Sequence, residues 1–503
     1  MKNSESYDEF WGELNEGDIH FRDNLQFEMK SEFFINPDLK ENVYKQEFYI
    51  FTPNTLQINP QTYTKAQFYL DQTTLIRYKT PRMSFQDLIN FDYSKSPLAR
   101  LNAWENQPLN EQQLSKILLE LQLFGNIFRS TLRGRIQYLI GEVGRSIFHE
   151  DIKKLCDDLR LTRSTFVKLK ERYERKHNSF PLRNYFRHTD EFTSLILDHY
   201  LISLLDHLRN VEGENTQSDK MLAEIILQEQ NYRKEHHLLP KTSKDLYYNE
   251  SILYREGILN KFILEPLLLK TYRYSLEEKH GNILGSVAAG VAMLMYMLLF
   301  AWKSERFVIN STPFILLAVV FYILKDRLKE GMKQLYFRQA FKWFPDYSTE
   351  ITNPDNDVIG VVKENFSFVH ENDVPVNILE MRNRDFHREL QIVKRQESII
   401  HYKREVNLQQ QPYAAEKRRH ELTLLFRLNI HQFLLKAHNA LAPNLLLDPE
   451  TLEIKERLLP RIYHLNVIMS NTYLLSNLKT RREIKKFRVV IDKVGIKRVE
   501  QIK

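Results

Sequence analysis

Apolar positions recur at three- and four-residue spacing through most of 110–279, and alternate with polar ones in short runs near both ends of the chain. In one place they crowd together without a charge. In the helical stretch, Asn110 and Gln113 match a capping box, and Leu114, Ile117, Leu118, Leu121 and Phe124 then fall on one helical face. The spacing predicts helices over 111–142, 150–176, 190–209, 218–236 and 247–279, with Pro181, Gly213 and Pro240 in the gaps where breakers belong. Alternation predicts a strand at 47–52, stopped by Pro53, and an extended run at 73–80 after a short helix at 63–72. Further strands are predicted at 358–362, 366–370, 398–408 and 487–491, while 420–435 and 458–475 fit either period. Residues 1–43 show little periodicity and read as partly loop.

The crowded region is 283–302, twenty residues without a charge, followed by Lys303, Ser304, Glu305 and Arg306 and then by eighteen more uncharged residues to Leu324. About 20 apolar residues suffice to cross a bilayer core as a helix, so the pattern predicts a two-helix transmembrane hairpin. Gly285, Ser286, Ala288, Ala289 and Gly290 suit close helix packing there. Nine Lys and Arg residues flank the hairpin against two in its connecting loop, which places both flanks in the cytoplasm. Beyond it, 325–344 reads as an amphipathic helix with Lys325, Arg327, Lys329, Lys333 and Trp343 at the membrane interface. The fold class expected is an α+β membrane protein with a mainly helical N-terminal cytosolic region, a two-helix transmembrane hairpin and a β-containing C-terminal cytosolic domain. Its parts are 1–108, 109–281, 282–324, 325–345 and 346–503, located in the cell (inner) membrane as a multi-pass protein with both termini cytoplasmic.

Two strands alone are not stable in water, so the short strands within 1–108 are expected to pair with the C-terminal region. Charge favours that: 1–50 carries twelve acidic and five basic side chains, whereas 479–503 carries three acidic and ten basic. The whole chain has a net charge of +7, which changes little by itself.

Candidate chemistry is sparse. A single cysteine, Cys156, excludes an internal disulfide and any zinc site built on several cysteines. No GxSxG, P-loop or GxGxxG pattern occurs, so an enzyme is disfavoured and neither a cofactor nor a metal is expected. His188, Asp190, Glu191, Asp198, His199, Asp206 and His207 are spaced for capping or solvated roles; His199 and Asp206, which share a face, lie two turns apart. In 152–172, Leu155, Cys156, Leu159 and Leu161 followed by Thr165, Phe166 and Leu169 fall where two crossing helices touch. The segment resembles a DNA-binding helix-turn-helix, with Arg163, Ser164 and Lys168 pointing outward as nucleic-acid contacts. Arg160 departs from that pattern, which favours glycine at the turn. The reading that follows is a two-pass membrane protein presenting cytosolic domains for partner binding, sensing or scaffolding. Its partners are the bilayer and other proteins or copies of itself. The alternatives are a membrane-tethered nucleic-acid binder using 152–172 and a membrane enzyme on a lipid or nucleotide.

Overall fold

The computed structural model describes residues 19–36, 39–142, 148–177, 179–213, 216–238, 246–275, 345–353, 357–384, 396–409, 421–447, 449–450, 452–474 and 480–502, with scattered positions between 286 and 331. They form an α+β fold in which two large sheets face each other beside a bundle of long helices.

The first sheet has the order β1–β2–β9–β4, made by Ile19–Asp23, Gln26–Phe34, Glu421–Asn429 and Gln72–Tyr78. The second has the order β14–β13–β12–β3–β8–β7–β6–β5. Its strands are β3 Glu41–Pro53, β5 Lys270–Ser275, β6 Tyr347–Thr352, β7 Val358–Val369, β8 Glu397–Gln409, β12 Tyr463–Leu474, β13 Thr480–Ile491 and β14 Ile496–Ile502. Every named pairing is antiparallel. The N-terminal β3 lies between β8 and β12, with Phe48 opposite Tyr402 on one side and Met469 on the other. Residues 1–43, expected as partly loop, thus supply β1, β2 and the start of a central strand.

The two sheets adjoin at both edges. On one side Ile496 N donates to Asn24 O at 2.7 Å, and a Cβ on Gly495 would lie 2.3 Å from that same oxygen, so only glycine lets the chains approach. On the other, Arg77 bridges to Leu268 just before β5. Alternation turns one side chain in two toward the enclosed space. Phe27, Met29, Phe48, Ile50, Phe426, Leu428, Val467 and Phe487 fill one end, with Leu56, Tyr63, Phe68 and Tyr69 of the β3–β4 connection packed over it. Phe33, Tyr44, Ile76, Val362, Val406, Leu408 and Leu424 fill the other end.

The bundle consists of α4 (Glu111–Gly141), α5 (Phe148–Lys176), α6 (Phe180–Glu212), α7 (Gln217–Glu235) and α8 (Leu246–Leu264). The short helices α1 (Lys65–Asp71), α2 (Phe85–Ile89) and α3 (Pro97–Trp104) precede them. Asn110 caps α4 by accepting from Gln113 N at 2.8 Å. Two faces of α4 are buried: Leu121, Phe124 and Phe128 enter the bundle core, while Leu123 joins the sheet core. A Cβ on Gly125 would meet Ile263 Cδ1 at 2.7 Å, so α8 crosses α4 closely there.

The helix expected over 247–279 ends at Leu264. Pro266 sits in a 3₁₀ turn, and the alternating KTYRYS run becomes β5. The membrane reading is also corrected. Among the described residues no helix is long and apolar enough to cross a membrane. That finding overturns the two-pass hairpin, the inner-membrane location and both membrane-bound alternatives. Much of 282–345 lies outside the described residues, including Lys325, Lys329, Lys333 and Trp343 of the expected interface helix. The positions described between 286 and 331 are helical, and Arg327 is exposed. In the N-terminal region β1 to β4 come ahead of the helices of the bundle.

Candidate functional site

The segment resembling a helix-turn-helix contains no turn. Residues 148–176 form the single helix α5, with neither glycine nor proline to break it, and Arg160 continues the helix where a turn was expected. Ser164 and Lys168 are exposed on α5, and the Ser164 hydroxyl is occupied by Leu161 O at 3.0 Å. Arg163 points the other way, into the bundle. Its Nη2 lies 2.7 Å from Glu229 Oε1 and 2.9 Å from Asp190 Oδ1, and its Nη1 donates to Thr193 Oγ1 at 2.9 Å. Lys170 reaches the second Asp190 oxygen at 2.8 Å, and the Tyr232 hydroxyl donates to it at 2.7 Å. Burial works against the Arg163 charge, but Glu229 and Asp190 hold the guanidinium above its ordinary pKa. A guanidinium held this way cannot reach a phosphate or a base edge, which removes the central residue of the nucleic-acid reading. Asp190, Asp198 and Glu191, expected in capping or solvated roles, are buried and paired with Arg163, Arg233 and Arg255. No group of His, Cys, Asp and Glu among the described residues could hold a metal ion. Cys156 is buried, and burial pushes its thiol up to about 11.

Two other regions depart from what packing alone requires. The first is inside the double sheet. Between the two apolar ends runs a transverse row in which Asn471, Gln46, Arg404 and Glu364 stand opposite one another on β12, β3, β8 and β7. All four are buried at positions where alternation calls for apolar side chains. Gln46 Oε1 accepts from Arg404 Nε at 2.6 Å, and Gln46 Nε2 donates to Ser31 Oγ at 2.6 Å and to Asn471 Oδ1 at 2.7 Å. Glu364 is taken by the Tyr402 hydroxyl and by Arg273, whose Nη2 lies 3.1 Å away. The Arg273 guanidinium sits 4.2 Å from the ring of Tyr347 and 4.6 Å from that of Tyr69. Tyr69 donates to Asp346 at 2.9 Å, and Lys65 pairs with Asp346 at 3.2 Å.

The second region is a β-ribbon. Strands β10 (Leu441–Leu447) and β11 (Ile454–Pro460) pair with each other and with no other described strand. Their root is firm: Ile430, Phe433, Leu434 and Ala437 before it and Tyr463 after it are buried in the sheet core. Arg461 N closes the base on Ala440 O at 2.8 Å. Beyond the root every β11 residue is exposed, and so are all β10 residues except the half-buried Ala442. The register places Leu441, Pro443, Leu445 and Leu447 on the same face as Pro460, Leu458, Glu456 and Ile454. That face is apolar apart from Glu456. Ala442, Asn444, Leu446, Lys455, Arg457 and Leu459 make the opposite face, and Glu450 and Glu453 lie toward the tip.

For the ribbon the sequence carries a turn signal, Asp448-Pro449, but no alternation, since 454–460 (IKERLLP) runs one apolar, three charged and two apolar residues before Pro460. The interior row carries no such signal, because its members are scattered over hundreds of residues. No protein-family model matches the chain, and neither a curated protein nor a solved structure matches it.

Proposed function

We propose that the chain is a binding protein that engages another protein through the ribbon at 441–460. The observation that carries this reading is the apolar face of β10 and β11, held clear of the body on a buried root and covered by no described element. An isolated two-stranded ribbon is marginal in water, and a strip of exposed Leu and Ile side chains gains stability only when something packs on it. Leu447, Ile454 and Leu458 are more than half exposed, far beyond what scattered surface leucines require.

Charge describes the occupant. Glu456 is the one ionisable group within the apolar face. A protein surface with an apolar strip bordered by Lys or Arg side chains complements that arrangement. The β11 strand carries Lys455, Glu456 and Arg457 and β10 carries Pro443, and charge and proline alike guard an edge against strand addition, so a partner packs on the apolar face and does not extend the ribbon.

The test compares the full chain with the double variant Leu447→Asp and Leu458→Asp. Both residues are exposed, so circular dichroism and melting should match the parent. Sedimentation and crosslinking in extracts of the source cell then report self-association and partner capture. The expected result is a defined complex, with a second copy or another protein, formed by the parent and lost in the variant. Identical behaviour of the two would overturn the reading.

A further inference from the structure

Helix α8 is apolar on more than the side it buries. Ile252, Leu259 and Ile263 face the molecule, where Ile263 lies over Gly125 of α4 and clusters with Leu259, Phe192 and Leu195. Polar contacts fix the helix from its flanks: Arg255 pairs with Glu191 at 2.9 Å, and Asn260 Oδ1 accepts from Arg129 Nη1 at 3.0 Å. The opposite side is bare. Glu250, Leu253, Tyr254, Gly257, Ile258 and Lys261 are all exposed, Leu253 at 70% and Tyr254 at 74%. Steps of three and one residues between them make one continuous stripe along the helix. A surface helix ordinarily gives charged or polar groups to that side, so an apolar stripe of this kind calls for a cover.

The order of the stripe identifies the cover, because it is complementary to its own reverse. Glu250 stands as far from the middle as Lys261, Leu253 as far as Ile258, and Tyr254 as far as Gly257. Two copies of α8 packed antiparallel across a two-fold axis therefore set acid against base, Leu against Ile, and the largest side chain against the smallest. Gly257 has room for its share, since a Cβ built there meets nothing within 4 Å. Packed parallel, the same helices would bring Glu250 to Glu250 and Lys261 to Lys261, which repel.

We infer that α8 is the contact of a two-fold homodimer of this chain. Tyr254 of each protomer fills the space over Gly257 of the other, and Glu250 pairs with Lys261 at both ends of the contact. This interface is separate from the ribbon and does not depend on it. A stripe of about three helical turns is smaller than the roughly 800 Å² per partner of a standard interface, so the dimer forms and separates with concentration in the micromolar range.

The test is sedimentation of the purified full chain over a concentration series spanning that range. The full chain carrying Leu447→Asp and Leu458→Asp runs beside it, so that association through the ribbon is not read as association through α8. Both should form a dimer of the same strength. Gly257→Gln should abolish it with melting unchanged or higher, because the longer side chain has space in its own chain and suits a helix better than glycine. Glu250→Lys and Lys261→Glu each turn two attractive pairs into repulsive ones and should weaken the dimer about tenfold. Mixed together, these two variants should pair at about parent strength, since every contact then joins opposite charges. A parent that stays monomeric throughout overturns the inference, as does a dimer that Gly257→Gln leaves intact. So does a dimer lost in the ribbon variant, or a failure of the two charge variants to recover on mixing.

Discussion

Arg163 and Arg404 are both buried arginines, one in the bundle and one in the double sheet, yet their surroundings treat the charge in opposite ways. Arg163 has carboxylates at 2.7 and 2.9 Å, a hydroxyl at 2.9 Å and the Tyr232 ring 5.4 Å from its guanidinium carbon. Arg404 has an amide oxygen, the hydroxyls of Thr74 and Tyr402 and two phenyl rings, with one nitrogen left over. The pKa of the first rises above its ordinary value and that of the second falls. Burial alone therefore does not distinguish a structural arginine from an available one; the nearby negative charge does. The bundle network pins α5, α6 and α7 together, whereas the interior row leaves a cation whose partner the described residues do not supply.

The comparison breaks or sharpens most decisively at Arg163. Replacing it with Met removes a main partner of Glu229 and Asp190 in a buried setting, and should cost about 3–5 kcal/mol in denaturant unfolding. A loss below about 1 kcal/mol would mean that the network is not compensating charge at all. Glu229→Gln should cost less, about 1–3 kcal/mol, because Asp190 still faces Arg163. Arg404→Met should cost about 1 kcal/mol, since the loss of the Gln46 and Thr74 contacts is offset by relief of an uncompensated buried charge. If it costs as much as Arg163→Met, the two sites are alike and the contrast fails.

Acid supplies a finer test. Burial alone would raise the Asp190 carboxyl, but Arg163 and Lys170 overcome it and hold it below its ordinary value. A carboxyl depressed in the folded state stabilises above its unfolded value, and that stability is lost as pH falls through the folded value. Stability from this group should therefore be complete above about pH 4 and decline below it. The slope of unfolding free energy against pH should be shallower in Asp190→Asn over that range. The smallest effect is expected at the ribbon, where Leu447→Asp should shift stability by less than about 0.5 kcal/mol while changing association.

Much of the bundle was legible. The Asn110 cap, the apolar face from Leu114 to Phe124 and the breaker at Gly213 mark helices that α4 to α7 match within a few residues, except that α6 begins at Phe180, with Pro181 in its first turn and not in a gap. The same periodicity could not say which way Arg163 points. In 152–172 the apolar positions show helix, but the turn was borrowed from a pattern that Arg160 does not fit, and the outward assignment of Arg163 went with it. The interior row was not legible at all. Gln46 sits in an alternating strand and Arg404 in another, and each read locally resembles a solvated position.

What the sequence determined by itself is local: period, caps, breakers, and the strand character of 47–52, 73–80 and 398–408, which lie in or largely overlap β3, β4 and β8. The tertiary structure decided the partners. Alternation states that Gln46 and Arg404 each share a face with their neighbours two residues away, but not whether that face is enclosed. Only the pairing of β3 with β8 and β12, and the second sheet lying over them, turns those polar side chains inward and leaves Arg404 short of a counter-charge. The reason is physical: the cost of a buried charge depends on groups brought within a few ångströms, and those groups lie hundreds of residues apart in the chain.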